Sequence, residues 1–258
     1  MPLVIPRKSA SEIEKMRRSG ELASEVLNQV ADRIQPGITT NELDEYAGEL
    51  IRAAGAKSAF FNYRGTFPGQ LCISVNEEVV HGFGSSRVVN YGDIVKLDCG
   101  VILNGYIGDT ASTIPVGIID PQTEKLIRAT EQILNDALQL ARGGRRLGDM
   151  CSFIEAETVR HGYTIVREFV GHGVGRKLHE EPQVPNYGKR GTGPKLKPGM
   201  TMAVEPMVNL GRPEVDVLDD NWTVVTRDGL PSAHFEHTIL ITDGAPEVLT
   251  IKRRSLFT

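Results

Sequence analysis

Apolar residues recur at helical spacing in four stretches of the chain, beginning with two near the N-terminus. Ser11 and Glu14 have the spacing of a capping box, and an apolar stripe follows them as far as Ile34. Thr39 and Glu42 repeat that spacing before a second stripe. The pattern therefore predicts two successive amphipathic helices whose apolar faces are core.

The remaining helices are predicted from Pro121 to just before Gly143-Gly144 and from about Gly148 to His161. Between the helical stretches, alternating apolar and polar residues are typical of strands. The predicted strands include Ile73–Val75, Gly92–Ser112, Met200–Val208 and His234–Ile241. These elements favour a mixed α/β (α+β) class, with a curved antiparallel sheet backed by helices.

The chain repeats its plan at an interval of 107 residues. The matching pairs are Gly37 and Gly144, Gly55 and Gly162, Gly92 and Gly199, and Asp98 and Glu205. Chance is the alternative explanation for four matches, although all of them share one offset. No Ser-, Pro- or Gly-rich linker separates the two halves, so we predict a single domain over residues 1–258, with a short N-terminal arm of about residues 1–10.

Composition excludes few classes of function. The net charge of −4 gives no electrostatic footprint for nucleic acid or an anionic membrane. The first residues lack the apolar core of about 7–15 residues that a signal peptide carries, and no run approaches the roughly 20 apolar residues of a spanning helix. Three widely spaced cysteines do not indicate a disulfide framework. We therefore expect a cytoplasmic protein.

The most informative stretch is a hairpin predicted around the Asn-Gly pair at 104–105. With that turn, Asp98 lies opposite Ala111 and Asp109 lies opposite Gly100, so both carboxylates leave the same face. Such diagonal neighbours are about 7–8 Å apart at Cα. Two bare carboxylates so placed repel each other unless a cation lies between them, and a pair of metal ions about 3.5–4 Å apart fits that gap.

Further ionisable residues occur in strand-like, mostly apolar surroundings, where an unpaired charge is costly. They are Glu205, Glu236, His172, His179 and His81. Taken singly, each has an ordinary structural explanation: a histidine beside glycine is more often a loop or core residue, and a glutamate before proline more often ends a strand in solvent. Their joint occurrence favours a metal site.

In this order and context, Asp98, Asp109, His172, Glu205 and Glu236 resemble the five metal ligands of the methionine aminopeptidase family. The most specific stretches are 76–82, 98–112, 171–175, 205–207 and 235–238, and the likeness runs from about Ile13 to Ile251. The resemblance is to the short bacterial type I form. It implies the pita-bread fold, in which two pseudo-symmetric halves surround a dinuclear metal centre.

The resemblance also implies a mechanism. Asp109 and Glu236 would bridge two divalent ions (Co, Mn, Fe or Zn), Asp98 would chelate one, and His172 and Glu205 would complete the other. A metal-activated hydroxide would be the nucleophile. Glu205 would shuttle its proton, while His179 and His81 would contact the substrate. The implied activity is excision of N-terminal methionine from peptides and nascent proteins during maturation, preferably before a small second residue.

A methionine side chain needs an unbranched apolar slot, ideally with soft or aromatic walls. By resemblance, the residues at the positions of this slot are Tyr63, Phe67, Cys72, Leu178 and Trp222, and either Phe60 or Phe61 would close it. Each of them has core packing as its alternative role. Two positions depart from the family pattern: Leu178 stands where Phe is usual, and His234 stands where Gln is common.

The sequence is also compatible with two other functions. One is a proline-specific aminopeptidase or prolidase of the same fold, and the other is a metal-free binding module. The first rival usually carries an additional N-terminal domain, and the second tends to lose metal ligands, whereas all five are present here. We expect a monomer that acts on peptide and nascent-protein N-termini, without nucleic acid or membrane partners; ribosome association stays open.

Overall fold

The computed structural model describes residues 4–250. Four long helices account for most of its helical content: α1 (Ala10–Ala31), α2 (Thr40–Ala53), α3 (Pro121–Leu138) and α4 (Leu147–Arg160). The last three agree with the sequence prediction, including the Thr39–Glu42 capping box of α2. None of the helices in the described range is long and apolar enough to cross a membrane.

Helix α1 begins two residues earlier than predicted, so the Ser11–Glu14 capping box is wrong. Ser9 is the N-cap, and its side chain and backbone exchange hydrogen bonds with Glu12. A tertiary contact holds Glu12 at this cap, because Tyr106 donates its hydroxyl to Glu12 at 2.6 Å. The helix also ends at Ala31, which leaves Ile34 beyond it.

Residues 4–250 form fifteen strands. In chain order they are β1 (Lys57–Ser58), β2 (Cys72–Val75), β3 (Glu78–Val80), β4 (Ile94–Leu103), β5 (Tyr106–Pro115), β6 (Thr164–Ile165), β7 (Gly171–Gly173), β8 (Glu180–Val184), β9 (Thr201–Val204), β10 (Met207–Asn209), β11 (Val215–Val217), β12 (Val224–Thr226), β13 (Ser232–His234), β14 (Glu236–Leu240) and β15 (Glu247–Val248). A short 3₁₀ turn spans Tyr63–Gly65.

The main sheet is antiparallel and joins both halves of the chain. Its order is β1-β4-β5-β14-β9-β7-β8, with β2 also paired to β4 and β15 to β14. Two small sheets, β13-β10-β6 and β11-β12-β3, complete the β structure. Because β5 of the first half pairs with β14 of the second, one continuous surface carries side chains from both halves.

The 107-residue repeat is visible in the backbone. Helices α2 and α4 have the same length and begin 107 residues apart, and the isolated bridges Thr39–Val88 and Arg146–Lys195 keep that offset. The paired glycines at 37 and 144, at 55 and 162, and at 92 and 199 all adopt positive φ. The repeated glycines therefore mark equivalent turns that side chains with a Cβ would strain.

Each helix pair packs on its own half of the β structure. One apolar cluster joins α1 and α2 to β2 and β4 through residues such as Val26, Leu43 and Leu97. The other joins α3 and α4 to β9 and β14 through residues such as Leu126, Met202 and Ile239. The opposite face of the main sheet carries polar side chains together with a third apolar cluster, and the candidate site lies there.

Candidate metal centre and substrate pocket

The first half contributes two carboxylates on the β4–β5 hairpin in the predicted register. Asp98 pairs with Ala111, and Asp109 pairs with Gly100. Asn104 and Gly105 have φ values of 53° and 76°, as a type I′ turn requires. Strand β2 adds a neighbour that the hairpin alone did not indicate, since Cys72 pairs with Asp98 from the other side.

Glu236 reaches the same face through strand pairing between the halves. It lies opposite Ala111, the residue that also faces Asp98, so one row across three strands carries two carboxylates. Asp109 lies two residues from Ala111 and therefore shares this face. Thr238 fixes the junction of β5 and β14, because its hydroxyl accepts the Asp109 N–H and donates to the Asp109 carbonyl.

Glu205 lies at an interruption that the sequence analysis did not predict. The expected strand Met200–Val208 is broken after Val204, and the expected strand His234–Ile241 is broken at Phe235. Pro206 has no N–H for a sheet ladder, so a break beside it has a clear cause. At these breaks the chain passes from the main sheet to the β13-β10-β6 sheet, and Glu205 is placed between them.

His172 enters from β7, which pairs with β9. Its Nε2 lies 3.5 Å from Glu205 Oε1 and 3.8 Å from Asp109 Oδ2, and its Nδ1 lies 3.0 Å from the Gly173 carbonyl. A proton on Nδ1 donated to that carbonyl leaves the Nε2 lone pair facing the carboxylates. Burial, and then the charge of His179, lower the pKa of His172 to about 3, so the ring is neutral.

The glycines beside His172 allow close packing of β-strands. A Cβ on Gly171 would lie 2.5 Å from the Ala203 carbonyl oxygen, and one on Gly173 would lie 2.2 Å from the Glu181 carbonyl oxygen. The small residues therefore let β7 fit between its neighbours.

Three of the buried carboxylates each have one oxygen without a hydrogen-bond partner among the described residues. Within residues 4–250, Asp98 Oδ1, Asp109 Oδ1 and Glu236 Oε1 are buried and accept no hydrogen bond. Burial raises the pKa of Asp109 to about 7. Burial, and then repulsion from the other carboxylates, raise the pKa of Asp98, Glu205 and Glu236 well above the ordinary range.

This donor set fits divalent metal. Ligand atoms of Asp109, His172 and Glu236 all lie within 4.8 Å of one another. Unpartnered buried carboxylates are costly, and a dication both satisfies their lone pairs and cancels their repulsion. A set of carboxylate oxygens with one imidazole suits metals such as Mn²⁺, Fe²⁺ and Co²⁺. Structural zinc sites are instead built from thiolates or from several histidines.

Two further histidines lie beside the carboxylates. His179 Nδ1 is 2.6 Å from the Tyr63 hydroxyl, and the rings of His172 and His179 are 4.2 Å apart. His81 adopts a positive φ of 62°, and its ring packs edge-on against Phe169. Burial lowers the pKa of His179, and it lowers that of His81 to about 4. Both rings are therefore neutral near pH 7.

A cavity of about 330 Å³ opens onto these groups. All five residues predicted for the slot line it: Tyr63, Phe67, Cys72, Leu178 and Trp222. Phe60 lines it as well, whereas Phe61 is 56% exposed, which decides between the two candidates. Sequence reasoning missed Phe169 and Arg64 in the lining, since neither stands in a recognisable pattern, and it missed Val80, which precedes His81 in the stretch 76–82.

The model of metallopeptidase family M24 matches residues 14–243. The chain belongs to this family. The methionine aminopeptidase of Clostridium perfringens is 49% identical over 244 residues, which span 95% of this chain and 98% of that protein. The structure of methionine aminopeptidase from Thermotoga maritima has 44% identity and a TM-score of 0.94, covering 96% of this chain and 100% of that one.

The M24 fold extends to more distant proteins. The prolidase from Pyrococcus horikoshii has 24% identity and a TM-score of 0.78, and the match covers 97% of this chain and 65% of that one. That likeness concerns the fold alone. Together with the antiparallel sheet and the four helices, these matches confirm the predicted fold class, the pita-bread fold.

The two residues that depart from the expected family pattern, Leu178 and His234, both lie beside the carboxylate cluster or in the wall of its cavity. Leu178 is buried in the cavity wall. His234 is 1% exposed, its Nε2 has no hydrogen-bond partner among the described residues, and this atom lies 3.9 Å from Glu205 Oε2. Each oxygen of Glu205 therefore faces one imidazole, from His172 on one side and His234 on the other.

Proposed function

We propose that this M24 member is a metalloaminopeptidase that removes N-terminal methionine from peptides and nascent proteins, preferably when the second residue is small. The observation that carries the proposal is one cavity with two contrasting sets of lining residues. One set consists of aromatic, aliphatic and thiol side chains, and the other consists of the buried carboxylates and His172. The names of the similar proteins support the same activity.

We further propose that the protein acts as a cytoplasmic monomer with residues 1–258 as one catalytic domain. The main sheet, which contains strands of both halves, supports a single domain. The N-terminal arm of about residues 1–10 is compatible with the start of α1 at Ala10. Residues 1–3 of that arm, and Ile251 at the end of the family likeness, lie outside the described residues.

The metal ligands in this proposal are Asp98, Asp109, His172, Glu205 and Glu236, which would hold two divalent ions. Their four carboxylates match the charge of two dications. When bound, such ions make hydroxide available at neutral pH by lowering the pKa of coordinated water towards about 7. Cellular metal supply, rather than affinity order, decides which of Mn, Fe, Co or Zn occupies a site of this kind.

The chain's own residues orient the substrate. The methionine side chain would occupy the slot between Phe60, Phe67 and Trp222, while its free α-amine lies towards Asp98. A requirement for a free amine at that point makes the activity an exopeptidase one. Edge-on aromatic contacts form the wall of the slot, with Phe67 centred 5.1 Å from Trp222 and 6.4 Å from Phe60, and a flexible thioether packs well against such a wall.

Proton movements are assigned to three side chains. Glu205 would take a proton from the attacking water and give it to the leaving amine. His179 would donate Nε2–H to the substrate carbonyl oxygen, a tautomer that is fixed when the Tyr63 hydroxyl donates to Nδ1. His81 would contact the backbone nitrogen of the substrate. Because both histidines are neutral, each can donate without adding charge to the site.

The direct test is peptide hydrolysis by metal-loaded protein. Met-Ala-Ser should release methionine, and Ala-Pro should not be cleaved, with metal content measured on anaerobically purified protein. Glu236→Gln should lose metal and activity, whereas the exposed Glu49→Gln is a matched control outside the site. Cleavage of Ala-Pro in preference to Met-Ala-Ser would favour the proline-specific rival. Folded protein that is inactive with every divalent metal would favour a binding module.

A further inference from the structure

A second cavity lies next to the substrate pocket and shares part of its wall. It encloses about 760 Å³ and shares Arg64, Val170, His172 and His179 with the pocket lining. Away from the shared residues it runs between the start of α1 and the loop that connects β7 to β8. We call this cavity the groove. Its volume is more than twice that of the pocket, so it can hold several peptide residues.

The groove carries more cations than anions. Its cationic residues are Arg7, Lys8, Arg64, Arg176 and Lys177, and its anionic residues are Glu12, Glu180 and Glu181. Two of the three acids already have partners. Glu180 accepts the backbone N–H groups of Arg176 and Lys177 and pairs with Lys8 at 2.5 Å. Glu12 accepts from the Tyr106 hydroxyl and from the N-cap of α1.

Several cationic groups remain available to a ligand. Arg64 and Lys177 form no ion pair with any residue between 4 and 250, although the Arg64 guanidinium lies 5.5 Å from the Tyr63 ring centre. The Arg176 side chain is 67% exposed, with one distant contact to Glu12 at 3.6 Å and its guanidinium 4.8 Å from the Tyr106 ring centre. Exposed Glu181 is the only acid of the lining without such a partner in the described chain.

We infer that the groove binds the part of the substrate that follows the scissile bond and favours acidic side chains from the third residue onward. The inference rests on the proposed function, since it requires the first residue to lie in the methionine slot. From there an extended chain advances about 3.3–3.6 Å per residue. Arg64 stands at the junction of pocket and groove, and Arg176 and Lys177 stand further along the groove wall.

Three peptides that differ only in charge test this inference: Met-Ala-Asp-Asp-Ser, Met-Ala-Asn-Asn-Ser and Met-Ala-Lys-Lys-Ser. We expect kcat/KM at low salt to be about 3–10-fold higher for the acidic than for the neutral peptide, and lowest for the basic one, as exposed charge pairs allow. The preference should shrink in about 0.5 M salt because screening weakens exposed pairs.

The double variant Arg176→Gln/Lys177→Gln should reduce the acidic-to-neutral ratio of kcat/KM to near one. Lys189→Gln/Arg190→Gln is the matched control, because it removes the same charge from an adjacent, exposed pair outside the groove. That control should keep the ratio of the unaltered protein. Thermal melting of both variants checks that each remains folded.

Two results would overturn the inference in different ways. Equal kcat/KM for the three peptides, or a ratio that both double variants share with the unaltered protein, contradicts the groove while leaving methionine excision intact. No methionine release from any of the peptides by metal-loaded protein contradicts the proposed function and the groove together.

Discussion

The two halves share one plan of helices but build the site differently. The first half presents Asp98 and Asp109 on a single uninterrupted hairpin of two ten-residue strands. The second half presents His172, Glu205 and Glu236 on strands of three to five residues or at the breaks between them. In the first half, the hairpin alone therefore positions both carboxylates. In the second half, the positions of the three side chains depend on packing between sheets.

The largest effect should come from Asp109 and Glu236, the carboxylates that would be shared by both ions in the proposed metal centre. Asp109→Asn should abolish activity and retain neither metal, whereas Asp98→Asn and His172→Ala should each retain about one ion. Losses in metal affinity should exceed the 10–100-fold typical of residues behind the ligands. Metal analysis of each folded variant makes the comparison. If His172→Ala keeps full metal content and activity, this residue is not a ligand.

His179→Ala should lower kcat by about 10²–10³ while metal content is unchanged, a loss typical of a removed donor to a developing oxyanion. The residue belongs to the second half, but its orientation comes from Tyr63 of the first. Tyr63→Phe should therefore reproduce part of the loss. Turnover that is untouched by the alanine substitution would contradict the assigned role.

His234→Leu should weaken metal binding by about 10–100-fold, since it removes the imidazole that faces Glu205. His234→Gln, which restores the residue common in the family, should bind metal more tightly than the leucine variant. Titration of metal-free protein by calorimetry measures the difference. Identical affinities for all three proteins would show that His234 has no influence on Glu205.

Glycine substitutions compare the packing of the two halves. Gly173→Ala should lower the free energy of unfolding by about 1–3 kcal/mol, because the new Cβ meets a backbone oxygen. Gly100→Ala should cost less, since its Cβ would lie 2.7 Å from the Phe60 ring, which can turn. The nearest neighbours of that Cβ are the Phe60 ring and the Ala59 side chain. Denaturant unfolding with metal removed tests the order.

The smallest effect concerns the equivalent helix caps. Thr39→Ala should lower the free energy of unfolding by about 1 kcal/mol, because its side chain caps α2. Arg146, at the same position of α4, has no capping oxygen, so Arg146→Ala should stay within about 0.5 kcal/mol. Equal losses in the two variants would mean that the caps do not distinguish the halves.

Local chemistry explains which parts of the site were predictable. The register of Asp98 against Asp109 follows from one Asn-Gly turn, since a two-residue loop fixes the pairing of the strands it joins. The helices followed from apolar periodicity, and the repeat at 107 residues from glycines that need positive φ. The assignment of Glu205, Glu236 and His172 as metal ligands, which is a proposal, came from resemblance to a family, because no local rule aligns residues from distant strands.

Tertiary structure decided the remaining features. It chose Ser9 over Ser11 as the first cap, Phe60 over Phe61 in the slot, and the breaks beside Glu205 and before Glu236. It also brought Tyr63 to His179 and opened the groove beside Arg176. Each choice depends on contacts between segments far apart in the chain, whose energies no short window of sequence contains. The sequence by itself determined the hairpin, the helices and the repeat, because turn geometry and periodicity act between near neighbours.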